Sequence, residues 1–516
     1  MYRAIVMGVA IALLMSAQGF ANTGPTAVAG AAPSISPLQA EIDLLNDAAH
    51  KFDNNDTVAA RRQIDAVVAS PSFGQLSPSQ QHIALYLLGY LQVNAGEKEA
   101  LATWKRATAM TDFASGRDWH LRLQADGQAS DDADALQTLT SIAQHWPGSL
   151  TQVSDQYIRD LISRTRSQKQ LADSRFELLL ALKAAFWVPT DAFNTAEYDW
   201  VELVRELLAR GRVQEAKAAA ESIALFGAVN EMVLAKQFDP VTQADPQRFD
   251  LRSAMDHELD QMRAAVKANP ESLEGVNELA GSLIGADQPQ AALQLLDAAI
   301  ARAKLRDSSA KPFSDPGELN WTYNQRALAL LHLGRVDEAI NLMKLGAERP
   351  EGGNVNVSQQ LNLAQIYEEE GRPAEAMAVI ADGESWDLSP YGKMDFEGVR
   401  ACAAAQLHDQ AALRRSMAYV RAHVDDAPGW AIDASICIGD MDLAAKTMIT
   451  ELANPNQLAS ALLDLQEGSL APSLSPIVRD RKTQLWALYQ RPDVKTAADA
   501  VGHHVSSPFQ MWGMGR

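Results

Sequence analysis

A helix–turn–helix pattern with two small residues recurs along this chain and limits what it can fold into. In residues 324–340, which read NQRALALLHLGRVDEAI, Gly334 lies in a turn between two segments of helical periodicity, and Ala339 follows five positions later. Glycine suits this turn because it adopts the left-handed conformation that ends many helices. The alanine leaves room for two helices to approach closely. The pattern therefore predicts pairs of closely packed helices.

The same two positions recur at other turns. Gly371 lies 37 residues after Gly334, and Asp287 lies 76 residues, or twice 38, after Gly211. Because an isolated helix pair cannot bury its apolar stripe, successive pairs must stack into a solenoid with one continuous core and a concave face. The further pairs are Gly211 with Ala216, Asp287 with Ala292, Gly371 with Ala376, Gly439 with Ala444 and, more loosely, Ala95 with Ala100.

Periodicity and composition favour helices throughout the chain. From about Leu38 onward, almost every stretch has apolar residues at i, i+3, i+4 and i+7, and no run of alternating strands is convincing. Alanine and leucine dominate, and both lose little side-chain freedom in a helix. With 516 residues, of which 47% are hydrophobic, the chain can bury a large core. We therefore predict an all-α fold.

These residues resemble the tetratricopeptide repeat (TPR) family, whose units are helix–turn–helix pairs of about 34 residues. The resemblance is clear over about 197–450, although the spacing is irregular and the units at 85–110 and 396–424 are degenerate. It implies an exported bacterial TPR protein, an α-solenoid of stacked helix–turn–helix repeats forming a right-handed superhelix. The residues that match are Trp200, Leu203, Gly211, Ala216, Ala327, Gly334, Ala339, Leu363, Ala364, Tyr367, Gly371 and Ala376.

The N-terminus has the pattern of a secretory signal peptide. The basic start MYR precedes the apolar run AIVMGVAIALLM and the small-residue end SAQGFA, which predicts cleavage after about Ala21. The alternative is a membrane anchor, but twelve apolar residues are fewer than the roughly 20 needed to span a bilayer. Residues 22–37 have the Gly, Pro and Ser content of a flexible linker. We expect a periplasmic or secreted protein with no transmembrane anchor in the mature chain.

The net charge excludes general binding to nucleic acid. Removal of residues 1–21 takes away Arg3 and leaves 44 basic against 65 acidic residues, a formal charge of −21. A surface this acidic repels a phosphate backbone. Solubility is the simpler explanation of the charge, and attraction of cationic ligands is the alternative.

Two lobes and a tail are predicted after the linker. The segment 236–250, KQFDPVTQADPQRFD, has two Asp-Pro pairs, and the residue before a proline is disfavoured in a helix. This segment predicts an N-terminal helical-repeat lobe over 38–236 and a C-terminal TPR-like lobe over 245–500. Residues 501–516 are predicted to be a tail.

No pattern in the sequence indicates catalysis, a cofactor or a metal site, and we expect a protein that is not an enzyme. The motifs HExxH, GxSxG and CxxC and glycine-rich phosphate loops do not occur. The adjacent His503 and His504 would point apart on a helix, and we expect them to lie exposed near the C-terminus. The acidic run 368–370 is either a solvated face or an acid–base cluster, and we favour the solvated face.

The two cysteines leave two possibilities open. Cys402 and Cys437 lie 35 residues apart, in first helices of neighbouring units. An exported protein meets an oxidising compartment, which permits a disulfide. Neighbouring helix axes are about 8–10 Å apart, whereas a disulfide needs Cα atoms within about 7 Å. We therefore favour buried free thiols.

The resemblance implies a binding site in the concave groove. TPR ligands contact recurrent positions of the first helices, and the lysine of the family's carboxylate clamp is absent from the positions carried over here. Glu368 and Glu369 would favour basic ligand residues, and Trp321 would be a large apolar anchor. The binding residues implied in this way are Trp321, Asn324, Leu328, His332, Leu361, Gln365 and Glu368.

Three functions remain open at this point. The first is a scaffold that binds a protein or peptide partner in its groove. The second is an enzyme or accessory protein that acts on cell-envelope polymers. The third is a carbohydrate- or small-molecule-binding protein, which the ten tryptophans suggest.

Overall fold

The computed structural model describes residues 36–190, 195–304, 313–350, 354–466 and 470–509. Within these ranges the chain forms 26 α-helices and no β-strand, apart from one isolated bridge between Ala235 and Gly502. The prediction of an all-α helical-repeat solenoid is confirmed. The predicted signal peptide and all but the last two residues of the predicted linker lie outside the described residues.

The chain divides into two compact units, Met1–Asp191 (unit 1) and Ala192–Arg516 (unit 2). The described part of unit 1 contains eight α-helices, which pack mainly against their neighbours in sequence. They are α1 Pro37–Asp53, α2 Thr57–Ala69, α3 Pro78–Ala95, α4 Ala100–Thr108, α5 Gly116–Ala129, α6 Asp132–His145, α7 Asp155–Thr165 and α8 Ala172–Ala184.

The described part of unit 2 begins with twelve helices that pack successively, and α13 to α20 share one apolar core from Met255 to Ala403. These are α9 Glu197–Ala209, α10 Val213–Ala220, α11 Phe226–Leu234, α12 Asp239–Thr242, α13 Leu251–Ala268, α14 Leu273–Gly285, α15 Pro289–Lys304, α16 Leu319–His332, α17 Val336–Ala347, α18 Val357–Glu369, α19 Pro373–Val379 and α20 Pro390–Gln406. The remaining helices are α21 Gln410–Ala422, α22 Pro428–Ile438, α23 Met441–Ala453, α24 Leu458–Asp464, α25 Pro476–Tyr489 and α26 Pro492–Val501.

The turns between paired helices have the predicted left-handed residue. Gly211, Gly334, Gly371 and Gly439 have φ of 71°, 71°, 70° and 76°. The alanine five positions after each of them is fully buried: Ala216, Ala339, Ala376 and Ala444 are all 0% exposed. Close packing of the helix pairs therefore depends on these small side chains.

Unit 1 uses the same turn with other residues. Asn55 and Ser130 have φ of 64° and 55°, and Ala60 and Ala135, five positions on, are 0% and 1% exposed. Gly96, with φ of 71°, occupies the turn that the sequence assigned loosely to Ala95. The helix-pair geometry therefore extends into the N-terminal region, where the sequence pattern was weak.

Cys402 of α20 and Cys437 of α22 form a disulfide, with Cα atoms 5.3 Å apart. The expectation of free thiols was therefore wrong. These two helices approach closely because their contact is lined with small residues. Gly398 lies directly against Trp430, whose Cε3 atom would be 3.0 Å from an added Cβ. Ala401 of α20 lies in one apolar cluster with Ala431 and Ala434 of α22, and all three are 0% exposed.

The predicted lobe boundary at 236–245 does not coincide with the division of the chain between Asp191 and Ala192. Helices do end in this segment, since α11 stops at Leu234 and α13 starts at Leu251. The segment is nevertheless packed within unit 2, where Phe238 is 0% exposed. The proline-containing break in the helices is thus not a break between compact units.

The predicted tail is packed over its described part, which ends at residue 509. The His503 N–H donates to the Leu234 carbonyl at 2.7 Å, and its Nε2 lies 2.6 Å from Asp239 Oδ1. Phe509 packs edge-on against Phe226, with ring centroids 5.4 Å apart. The end of unit 2 therefore returns to its first helices. Of the two histidines, His504 is exposed as expected and His503 is half-buried.

Candidate ligand-binding cavity

A cavity of about 830 Å³ lies within unit 2. Four first helices, α16, α18, α20 and α22, line it, and α25 covers it from a distant part of the sequence. Each helix contributes side chains three or four positions apart, because such residues lie on one helix face. The stripe of α20, for example, consists of Tyr391, Asp395, Val399 and Cys402.

Aromatic side chains form one end of the cavity, and we call them the aromatic mouth. They are Trp321, Tyr391 and Trp430, each near the N-terminus of its helix. Trp321 is 37% exposed and Tyr391 is 54% exposed. Large apolar faces that remain open to solvent are available to a ligand.

The opposite end of the cavity is closed by the C-terminal part of unit 2. Ser475 accepts a hydrogen bond from the Val478 N–H at 3.2 Å and caps α25, while its hydroxyl donates to the Glu369 carbonyl at 2.6 Å. The Ser473 hydroxyl donates to the His332 carbonyl at 2.8 Å. These bonds hold the start of α25 against the C-terminal ends of α16 and α18.

A buried ion pair secures this closed end. The Arg481 guanidinium of α25 pairs with the Glu368 carboxylate, which also accepts a hydrogen bond from the Gln406 amide. Glu368 is only 1% exposed. Burial raises the pKa of Glu368, and the charge of Arg481 opposes that rise. A buried charge with a partner and further hydrogen bonds is tolerated, whereas one without them is costly.

Glu369, the next residue, is also buried, with 8% exposure. Burial raises its pKa to about 7, although Arg481 and the hydrogen bond from Gln365 oppose the shift. The Gln365 amide donates to Glu369 Oε1 at 3.0 Å. The expectation that the run 368–370 forms a solvated face was therefore wrong for Glu368 and Glu369, because α25 covers them.

Asp395 differs from the other carboxyl groups of the cavity. Its Oδ1 atom is buried and has no hydrogen-bond partner in the described part of the chain. Burial alone raises the pKa of Asp395 to about 7. A buried carboxyl with no protein partner costs free energy, so a ligand that donates to it would gain by binding.

Six of the seven residues implied by the TPR resemblance line this cavity. They are Trp321, Asn324, Leu328, Leu361, Gln365 and Glu368. The seventh, His332, lines a separate cavity of about 70 Å³ beneath residues 473–475, together with Leu328. Burial lowers the pKa of His332 to about 3, so this side chain is neutral and does not attract anions.

The role implied for Glu368 does not fit its surroundings. Its carboxylate is already paired within the chain, so it cannot meet a basic ligand group unless Arg481 moves away. Asn324 is partly occupied too, since its Oδ1 accepts a hydrogen bond from Asn362 at 3.0 Å. Trp321, Leu328 and Leu361 remain available as apolar contacts.

Sequence reasoning missed several lining residues, namely Tyr391, Asp395, Trp430, Asp433 and Arg481. The first four lie on either side of the unit at 396–424 that was regarded as degenerate, and no groove positions were carried over from the family to that part of the chain. Spacings of three and four residues connect Tyr391, Asp395, Val399 and Cys402, so extending the helical periodicity through 390–406 would have found them. Arg481 had no such signal, since it lies 113 residues after its partner.

One group of potential metal ligands lies at the cavity wall, consisting of Glu368, Cys402 and Cys437. The two sulfur atoms are bonded to each other. A metal requires thiolates, so this group does not form a metal site while the disulfide is intact.

Comparison with known proteins gives no family assignment. No protein-family model matches the chain, and no curated protein matches it. A solved structure of Naa15/Naa10 bound to HypK-THB aligns at 13% identity over 89% of this chain and 80% of that chain, with a TM-score of 0.22. A circular tandem repeat protein with novel repeat topology aligns at 12% identity over 90% of each chain, with a TM-score of 0.12. TM-scores this low support no inference about fold or function.

Among the described helices, none combines the length and the apolar character that a bilayer crossing requires.

Proposed function

We propose that this protein is an exported TPR-like scaffold that binds a short, extended peptide segment of a protein partner in the cavity of unit 2. The observation that carries the proposal is the cavity itself, which combines an aromatic mouth with buried carboxyl and amide groups. Its volume of about 830 Å³ falls within the range of about 300–1,000 Å³ typical of ligand sites. Because α25 covers one end, a few residues fit better than a long helix.

Export is supported by two independent features. The first 21 residues have the pattern of a signal peptide. The disulfide between Cys402 and Cys437 suits an oxidising compartment such as the periplasm. The acidic charge of the chain supports a protein or peptide partner and argues against nucleic acid. We propose a binding role without catalysis, since the sequence carries no recognised catalytic motif.

The proposal is tested by screening the full mature chain against randomised, capped hexapeptides. We expect enriched peptides with an apolar or aromatic residue that contacts the mouth. Trp321→Ala should weaken binding of an enriched peptide by about 2 kcal/mol, as loss of a central aromatic anchor often does. Phe186→Ala is the matched control, because Phe186 is an aromatic residue of unit 1 that is 89% exposed. No enrichment, or equal effects of the two variants, would contradict the proposal.

A carbohydrate ligand is the second candidate. Aromatic faces with neighbouring amide and carboxyl groups suit a sugar ring as well as a peptide, and Trp321 and Trp430 lie together with Gln325 and Asn362 at the cavity. A glycan array with the same variants distinguishes the two. Binding of glycans but not peptides, weakened by Trp321→Ala, would favour this candidate. Turnover of cell-wall fragments would favour an enzyme.

A further inference from the structure

The charged groups of the cavity are unevenly matched. Arg481 and Lys482 are its cationic residues, whereas five acidic residues line it. Arg481 is committed to Glu368 in a buried ion pair. The acidic residues are Glu368, Glu369, Asp387, Asp395 and Asp433. The cavity therefore retains an excess of carboxyl groups after the internal pair is counted.

Asp395 has a buried carboxyl oxygen that the described part of the chain leaves without a hydrogen bond, whereas Asp387 is exposed to water. Glu368 has Arg481 and Gln406, and Glu369 has Gln365. No ion pair in the described ranges includes Asp395, and its Oδ1 atom is buried without a hydrogen bond. Burial raises the pKa of Asp395, because it disfavours the charged form of the carboxyl group.

The position of Asp395 places it next to the aromatic mouth. Tyr391 precedes it by one helical turn on α20, and both side chains line the cavity. Val399 and Cys402 continue the stripe toward the end that α25 closes. A ligand that enters past Trp321 and Tyr391 therefore reaches Asp395 before it reaches the buried pair of Glu368 and Arg481.

We propose that Asp395 determines ligand specificity by pairing with a lysine or arginine side chain of the bound peptide, whose aliphatic part lies against the aromatic mouth. This inference rests on the proposed function. A basic side chain suits both features, because its methylene groups pack on apolar faces while its charged end donates hydrogen bonds. Cations are also attracted to the faces of Trp and Tyr rings. A neutral donor would also form a hydrogen bond with Asp395, but it would not offset the excess negative charge of the cavity.

The test is a positional scan of capped hexapeptides against the full mature chain, with Asp395→Asn and Asp425→Asn as variants. Asp395→Asn keeps the shape of the side chain and removes its charge. Asp425 is an exposed residue of unit 2 outside the cavity, so Asp425→Asn is the matched control. Each enriched peptide is then compared with its Lys→Gln or Arg→Gln version by calorimetry, and the melting temperature of each variant verifies that it folds.

We expect wild type and Asp425→Asn to prefer Lys or Arg at one position by roughly tenfold or more, as charge-assisted hydrogen bonds provide. Asp395→Asn should bind the Lys or Arg peptide and its Gln version about equally. It should still prefer apolar residues at the neighbouring peptide positions. Enrichment without a basic residue, or a basic preference that persists in Asp395→Asn, would overturn the inference and leave the proposed function intact. The absence of any enriched peptide would overturn both.

Discussion

Units 1 and 2 place their buried charges differently. In unit 1, Arg122 of α5 donates to both oxygens of Asp134 in the adjacent helix α6, at 3.0 and 2.7 Å. In unit 2, Glu368 of α18 pairs with Arg481 of α25, 113 residues away. The pair in unit 1 connects neighbouring helices of the stack. The pair in unit 2 fixes a later helix over the stack, and a cavity remains beneath it.

The comparison suggests why a binding site forms in unit 2. A stack of helix pairs exposes its first helices along one face. In unit 2 a helix from outside the series covers part of that face and leaves the aromatic mouth open. The following experiments test the shared features of the two units and the features that separate them, and they are arranged from the largest expected effect to the smallest.

Breaking the disulfide should have the largest effect, and only on unit 2. Replacing both Cys402 and Cys437 with alanine should lower the stability of unit 2 by about 2–4 kcal/mol, because a cross-link limits the unfolded chain. Hydrogen exchange should show faster opening of α20 and α22 and no change in α1–α8. The intact protein should also gain the mass of two hydrogen atoms on reduction. An unchanged mass would contradict the disulfide.

Overpacking the buried alanines tests whether the two units share one kind of helix contact. Ala135→Trp in unit 1 and Ala339→Trp in unit 2 should each destabilise their unit by about 1–3 kcal/mol or more. The control is Glu338→Ala on the exposed side of α17, which should change stability by no more than about 0.5 kcal/mol. A mild effect of Ala135→Trp beside a large effect of Ala339→Trp in denaturant unfolding would mean that unit 1 is packed differently.

The unpaired carboxyl group of Asp395 should make unit 2 less stable at high pH. Burial raises its pKa to about 7 from the ordinary value of 3.8. Between these pH values the folded chain holds a proton that the unfolded chain has lost, so stability falls as the pH rises through this window and stays low above about pH 7. The other charged groups that line the same cavity are Glu368, Glu369, Asp387, Asp433, Arg481 and Lys482.

Asp395→Asn removes the contribution of Asp395 because asparagine does not titrate, and it leaves that of Glu369, whose pKa is also raised to about 7. We expect the variant to be more stable than wild type by about 1–2 kcal/mol at pH 8 and equal to it near pH 4. This is less than the roughly 1.4 kcal/mol per pKa unit of a fully buried group, because Asp395 is half-buried and water screens its charge. Asp425→Asn should show no such difference. Thermal unfolding across this pH range measures the effect. A variant that is less stable than wild type at pH 8 would show that Asp395 has a stabilising partner.

The smallest expected effect concerns the left-handed turns. Ser130 has φ of 55°, whereas the matching Gly334 has φ of 71°. A left-handed conformation is strained for serine and not for glycine. Ser130→Gly should therefore stabilise unit 1 by about 0.5 kcal/mol, and Gly334→Ser should destabilise unit 2 by a similar amount. Destabilisation by Ser130→Gly or stabilisation by Gly334→Ser in chemical denaturation would contradict the shared turn.

The fold was largely predictable because its turns and helix contacts determine the residue types at nearby positions in the sequence. A left-handed turn favours glycine and a tight helix contact favours alanine, so Gly334 with Ala339 and Gly371 with Ala376 could be found in sequence. Asn55 and Ser130 adopt the same left-handed conformation, but neither is a glycine that would mark the turn in the sequence. The helix pairs of unit 1 were therefore harder to assign from the sequence than those of unit 2, although the turns are the same.

The candidate site was only partly predictable. The family register selected positions of α16 and α18, and Trp321 and Leu361 from that selection line the same cavity. The partner of Glu368 could not be foreseen, because Arg481 comes from a helix far along the chain. The disulfide was missed because typical helix spacing was assumed, while small residues allow α20 and α22 to approach more closely.

The central claim is that the cavity of unit 2 binds the ligand. It is tested most directly by hydrogen exchange of the full mature chain, measured with and without a saturating concentration of a hexapeptide that the screen enriched. The account predicts slower exchange in α16, α18, α20 and α22, with the strongest effect around the aromatic mouth, and unchanged exchange in α1–α8. Slower exchange confined to unit 1, or to helices of unit 2 that do not line the cavity, would contradict it.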